Sequence, residues 1–233
     1  MGGNGANRQQ LDTAEVYDPQ TDGWQPLAKM STARSSFGLA TVGGKIYAIG
    51  GNGGISVPLI LDSVEAYDPQ LGAWAPVASM SQKRSLHASV VLDGKIYAMG
   101  GLDGAVSKLD TVEAYDPQAD SWQRVASMPQ RLCNHAAAAM GGKIYVTGGI
   151  NRSSVNAVYV YDPQANTWTQ LTSMGAARQM HASAAVGGKL YVFGGFTSDG
   201  RLSTAEVYDP ASDSWAQVTS LTSARSSVRA VAL

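Results

Sequence analysis

Few side chains in this sequence have the means to hold a metal, attack a substrate or grip an anion. The only three histidines, His87, His135 and His181, occupy one equivalent place in successive copies of a repeated segment, where Phe37 and Val228 stand in the other copies. Imidazoles set round an opening would bind zinc or copper. A place that also takes Phe or Val reads instead as a packing slot, and neighbouring copies should hold the rings too far apart for metal bonds of about 2 Å. No metal and no cofactor is expected. The single cysteine, Cys133, leaves no internal disulfide and no multi-cysteine zinc site, which suits a reducing, cytoplasmic setting. Gly43-Gly44-Lys45 and its copies lack the leading glycine and the Ser/Thr of a phosphate loop and sit at a hairpin. Asn151-Arg152-Ser153 matches a glycosylation acceptor, a triplet common by chance. Nothing in the loops forms a general acid/base pair, so no catalytic residue is assigned.

The bulk properties are those of a soluble globular protein. The 233 residues are 44% hydrophobic and 15% charged, with a formal net charge of −1. That balance carries no electrostatic footprint for nucleic acid or an acidic membrane surface. No apolar stretch approaches the length of a membrane span, and Met1-Gly2-Gly3-Asn4 does not open a signal peptide.

What must position any site is a repeat. Tyr-Asp-Pro begins at Tyr17, Tyr67, Tyr115, Tyr161 and Tyr208, and seven residues after each tyrosine comes Trp24, Trp74, Trp122, Trp168 or Trp215. Six residues further lie Met30, Met80, Met128, Met174 and, last, Leu221. Twenty residues beyond the methionines stand Gly50-Gly51, Gly100-Gly101, Gly148-Gly149 and Gly194-Gly195, and Gly2-Gly3 opens the chain. Within a unit, turn residues separate short runs rich in Val, Ile, Tyr and Trp. Examples are 87–92, 95–99, 111–115 and the run through Trp122, and none shows a sustained helical period. Four strands in a unit of 46 to 50 residues is the size of a propeller blade.

The glycine pair, the Tyr-Asp-Pro tyrosine and the spaced tryptophan resemble the kelch repeat, over essentially the whole chain. The resemblance implies an all-β propeller of about five four-stranded blades in a single domain, 1–233. One blade is split between the termini and lacks most of a strand, so the chain is either an imperfectly closed ring or a fragment of a larger propeller. It implies little about function, since kelch propellers serve as adaptors, cytoskeletal binders and occasionally enzymes. Within the scaffold, the glycines should admit close backbone approach and positive φ. Tyr and Trp should fill the wedge between blades with their polar tips bonded, and Asp-Pro should start a turn.

Function should then lie where the spacing varies. Tyr to Trp, Trp to Met and Met to Gly-Gly are constant, whereas Gly-Gly to Tyr measures 15, 17, 15, 13 and 14 residues. Those loops emerge on the same face as the connections into each first strand, and variable loops on a rigid scaffold are the usual place for binding. The expected partner-binding set is Arg8, Ser35, Ile55, Val57, Pro58, Leu86, Asn134, Arg152, Gln179 and Arg201. The loop Ile55–Ile60 is unusually apolar, and the arginines suit a carboxylate or phosphate. The expected function is a non-catalytic scaffold for a partner protein or peptide. A carbohydrate-binding or sialic-acid-mutarotase-like enzyme with its site at the propeller mouth is the alternative, and self-association through an open blade edge is a further possibility.

Two more positional sets read as structural. Arg34, Arg84, Arg178 and Arg225 lie four residues past the Met slot, and Glu15, Glu65, Glu113 and Glu206 occupy the third strand. One unit breaks both rules with Leu132 and Tyr159. A buried charge without its partner is costly, so these arginines and glutamates should pair within blades, with Arg225 reaching Glu15.

Overall fold

The structure is a computed structural model that describes residues 1–7, 9–54 and 59–231. Arg8, Ile55, Val57 and Pro58 therefore lie outside the described residues. Alternation of small or β-branched residues with polar ones, broken by Gly, Asp and Asn at each turn, gives strands almost throughout.

The N-terminal sheet has two strands, β1 (Ala14–Asp18) and β2 (Gly23–Leu27). Four four-stranded antiparallel blades follow. The first is β3 (Gly38–Val42), β4 (Lys45–Asn52), β5 (Ile60–Asp68) and β6 (Ala73–Val77). The second is β7 (Ala88–Leu92), β8 (Lys95–Met99), β9 (Val112–Asp116) and β10 (Ser121–Val125). The third is β11 (Ala136–Met140), β12 (Lys143–Thr147), β13 (Val158–Asp162) and β14 (Thr167–Leu171). The last is β15 (Ala182–Val186), β16 (Lys189–Phe193), β19 (Ala205–Asp209) and β20 (Ser214–Val218). The loop between β16 and β19 carries a short hairpin, β17 (Phe196–Thr197) and β18 (Gly200–Arg201). Residues 219–231 form no strand.

The described chain forms two compact units. One comprises Met1–Ala98, Leu102–Ser107 and Glu113–Gln123; the other comprises Met99–Gly101, Lys108–Val112 and Arg124–Leu233. In the first unit the core is Tyr47, Ile49 and Val64 packed on Ile96, Ala98 and Tyr115, with Trp122 closing one side. In the second, Tyr145, Leu190 and Tyr208 take the same places, with Trp215 against them.

The tyrosine–tryptophan pair seals blade to blade as the spacing predicts. The indole N–H of Trp74 donates to the Ala28 carbonyl, Trp122 to Ala78, Trp168 to Ala126 and Trp215 to Thr172, all at 2.8 to 2.9 Å. A second clamp had no place in the sequence reading. The residue five past the tyrosine, Asp120, Asn166 or Asp213, takes a positive φ to close its hairpin. Its side chain accepts from the tyrosine hydroxyl and from the same backbone position whose carbonyl holds the indole. Burial and then the Asp120 hydrogen bond push the Tyr115 phenol well above its ordinary pKa. The Asp of Tyr-Asp-Pro caps its turn and meets a second-strand lysine, as in Lys45–Asp68 at 3.1 Å and Lys189–Asp209 at 2.9 Å.

The glycine pair is explained by the histidine slot. Gly51 has φ 99°, and a Cβ there would lie 2.7 Å from both the Cβ of Phe37 and the Ser35 carbonyl. Phe37 also faces Gly2, where a Cβ would come 2.6 Å from its ring. The slot residue thus packs over a glycine on either side. Gly51→Ala is expected to cost about 2 kcal/mol or more, from left-handed strain plus the clash. Equilibrium urea unfolding measures it, with Gly43→Ala in an open hairpin as the comparison.

Arg and Glu pair as expected in three blades. Arg34 meets Glu65 at 2.6 Å, Arg84 meets Glu113 at 2.7 Å and Arg178 meets Glu206 at 2.5 Å, all six side chains buried. Each glutamate also accepts from the backbone at the turn before the arginine, as Glu65 does from Ser31 and Thr32. For Glu113, burial alone would raise the pKa; Arg84 and Ser81 bring it below the ordinary carboxylate value. Arg225 departs from the expectation. Its guanidinium is exposed and donates to the Ser223 hydroxyl and carbonyl, and Glu15 is likewise exposed. Residues 219–231 form no strand, and among the described residues Arg225 is not enclosed as the other three are.

Candidate functional site

Beyond each glycine pair, the first and second strands of a blade are joined again by an isolated bridge: Ser35 with Asn52, Ser85 with Leu102, Cys133 with Ile150, Gln179 with Phe196. The next residue in the chain then takes a left-handed φ: Ser36 52°, Leu86 53°, Asn134 55°, Met180 53°. This conformation is costly for a leucine or methionine and holds only where the surroundings impose it. Here the surroundings are backbone hydrogen bonds between these same kinks, Leu86 N–H to the Ser36 carbonyl and Met180 N–H to the Asn134 carbonyl. The loop face is therefore anchored by rigid backbone.

In the second unit this arrangement frames a cleft of about 460 Å³, lined chiefly by Arg152, Ser154, Gln179, Phe196, Thr197 and Ser198. The Gln179 amide donates to the Ser154 hydroxyl at 3.4 Å and accepts from the Asn134 amide at 3.2 Å. Ser154 donates in turn to the Phe196 carbonyl at 3.5 Å. Phe196 is 38% exposed at the start of the β17–β18 hairpin, and Arg152 is exposed on the β12–β13 loop. The cleft thus presents an aromatic wall, an oriented amide and hydroxyl set, and a guanidinium.

Of the residues expected to bind a partner, Arg152 and Gln179 line this cleft and Asn134 bonds into it. Arg201 stands opposite Phe196 in the hairpin, exposed. Ser35 and Leu86 belong to the first unit; Ser35 is buried, with its backbone bonded both ways to Asn52, and Leu86 is half-buried. Phe196 and Thr197 were visible only as members of a variable loop, because the hairpin that sets their direction is closed by a turn at Ser198 and Asp199 that pairs Thr197 with Gly200. In the histidine slot, His181 is buried and shares a 2.8 Å hydrogen bond with Thr147. Its ring lies over Gly148, where a Cβ would come 2.8 Å from it. Among the described residues, no three His, Cys, Asp or Glu side chains come together as a metal site, and no helix is long and apolar enough to cross a membrane.

Four-stranded antiparallel blades, each sealed by a Tyr–Trp pair and bent at Gly-Gly, define a kelch-type β-propeller. The chain belongs to the KLHDC2/KLHL20/DRC7 Kelch-repeats domain family, whose model matches residues 1–149 and again 87–233. Among curated relatives, Kelch-like protein 7 of Gallus gallus is 45% identical over 53 residues, covering 23% of this chain and 9% of that one. The Influenza virus NS1A-binding protein homolog of Mus musculus is 47% identical over 53 residues, 22% of this chain and 8% of that one. The matched stretch is thus about one repeat and less than a tenth of either relative. Among solved structures, YjhT superposes with a TM-score of 0.83 at 15% identity, over 94% of this chain and 80% of that one, a likeness of fold.

Proposed function

We propose that the chain is a non-catalytic interaction module that holds a partner protein or peptide on its loop face. The observation that carries this is the cleft around Arg152, Gln179 and Phe196, where a guanidinium and an aromatic ring stand exposed beside side chains already oriented by hydrogen bonds. Aromatic and arginine anchors on a rigid frame are the usual energetic centres of protein interfaces. A relative named for binding NS1A supports a protein partner in general. The guanidinium favours a peptide carrying a carboxylate, held by paired N–H donors, with an apolar side chain on Phe196.

Selection from a random peptide display library tests this. Enriched peptides are expected to carry an acidic residue near an apolar one. Arg152→Glu should weaken them about tenfold or more, roughly 1.4 kcal/mol, and Phe196→Ala by a similar factor. Peptides that bind both variants as well as the parent would move the site off this cleft.

A further inference from the structure

Asn134 and Gln179 stand at places in the repeat where the scaffold uses only backbone. The equivalents of Asn134 are Ser36, Leu86, Met180 and Ser227, and those of Gln179 are Ser35, Ser85, Cys133 and Ser226. A pair of amides occurs once, across the third and last blades, and there the two side chains meet at 3.2 Å. Their backbones are already fixed. Gln179 is bonded both ways to Phe196, and the next amide, Met180 N–H, donates to the Asn134 carbonyl at 2.9 Å. Asn134 takes its left-handed φ of 55° without the cost that a bulky residue carries there.

The direction of the hydrogen-bond chain follows from its far end. The Phe196 carbonyl can only accept, so the Ser154 hydroxyl spends its one proton there. The Ser154 oxygen then accepts from Gln179, which turns the Gln179 NH₂ group toward Ser154 and its carbonyl oxygen toward Asn134. Asn134 has to donate, and it does. A Gln179 amide turned the other way would break the Ser154 bond to Phe196. The same accounting leaves the cleft with donors. The carbonyls of Ile150, Gln179 and Phe196 already accept from backbone amides, and the Gln179 side-chain oxygen accepts from Asn134. The Thr197 hydroxyl is bonded to Gly200 and Asp199. Unspent are the second N–H of Gln179 and the exposed guanidinium of Arg152, which, unlike Lys143 and Lys189, enters no ion pair among the described residues.

We infer that Asn134, acting through Gln179, sets this cleft to take a hydrogen-bond acceptor: the partner meets it with the carboxylate of an Asp or Glu side chain, held by the Gln179 amide and Arg152 together. The inference rests on the loop-face binding proposed above and deepens it. Asn134 is a positioning residue that decides which chemistry is read. A Gln or Asn side chain in the same place would bring one of its own N–H groups against a donor, and that mismatch rejects it.

Two readouts test this. In the free protein, the side-chain NH₂ of Gln179, assigned in ¹⁵N spectra by its loss in Gln179→Met, is expected to show nuclear Overhauser contacts to Ser154. These should disappear in Asn134→Leu, which copies the equivalent Leu86. Binding is read with the peptide acetyl-Glu-Ala-Phe-amide against acetyl-Gln-Ala-Phe-amide. The parent is expected to prefer the Glu peptide by about tenfold or more, the scale of a hydrogen bond to a charged group, and Asn134→Leu to narrow that to about threefold or less. Asn134→Asp keeps the size and the left-handed φ but only accepts when ionised, so it should turn the amide round and abolish the preference too. Thermal unfolding checks that both variants keep the fold. A preference unchanged in both, or Gln179 amide protons that face Asn134 in the parent, would overturn the positioning role. Equal binding of the two peptides, still lost in Arg152→Glu, would overturn this inference and leave the loop-face function standing; a parent that binds neither peptide would remove both.

Discussion

Arg178→Leu is expected to destabilise the chain by about 3 to 5 kcal/mol, and copying the third blade around it should return most of that loss. The Arg178 guanidinium is fully buried and donates to the Gly194 and Thr204 carbonyls as well as to Glu206. Removing it leaves Glu206 charged in the core with only the amides of Gly175 and Ala176 against it. The third blade solves the same packing problem without charge: Leu132 and Tyr159 are buried there, and the Tyr159 hydroxyl donates to Gln130. The triple variant Ala176→Gln, Arg178→Leu, Glu206→Tyr rebuilds that arrangement. It is expected to unfold within about 1 to 2 kcal/mol of the parent, because a buried ion pair replaced by well-packed neutral groups is often near neutral. Urea unfolding of the single and triple variants decides it. A triple variant as unstable as Arg178→Leu would mean that the carbonyl contacts, not the orphaned glutamate, carry the cost.

The second large effect is with acid. Burial first, then the positive neighbour Arg178 and His135, hold the His181 pKa down to about 3, against the pull of its Thr147 hydrogen bond. The unfolded chain has an ordinary histidine near 6.5, so below that pH the unfolded state binds a proton that the folded state refuses. Stability from this residue is complete above about pH 6.5 and is lost progressively toward pH 3, reaching about 4 to 5 kcal/mol there. Replacing His181 with Phe, the residue found in the slot as Phe37, should remove that slope. Thr147→Ile in the same chain, after the equivalent Ile49, avoids orphaning the threonine hydroxyl. The double variant is expected to lose less stability than the parent between pH 6.5 and 4, measured as urea midpoints across the range. Parallel pH profiles would show that other groups govern the acid response.

Sequence alone determined the blades and much of their interior. Constant spacings place strands, turns and the Gly-Gly bend, because these depend on φ preference and side-chain alternation over a few residues. The Arg–Glu pairs were legible for a related reason: two charges that vary together from unit to unit, and vanish together at Leu132 and Tyr159, must answer one another in a low-dielectric interior. Arg225 shows the limit. It has the right position in the repeat, but a guanidinium is buried only if strands enclose it, and the described residues 219–231 form none. The cleft depends on tertiary structure for its shape. Asn134 and Gln179 hold fixed places past the Met slot, but Ser154 lies in a loop of variable length, and the three meet because rigid backbone bridges bring their loops to one place. The Asp120, Asn166 and Asp213 clamps are recurrent in sequence, yet their partners lie about 40 residues away on another sheet and are named only by the packing. Identical repeats encode identical surfaces, and which copy is covered depends on its neighbours in space, which no local pattern records.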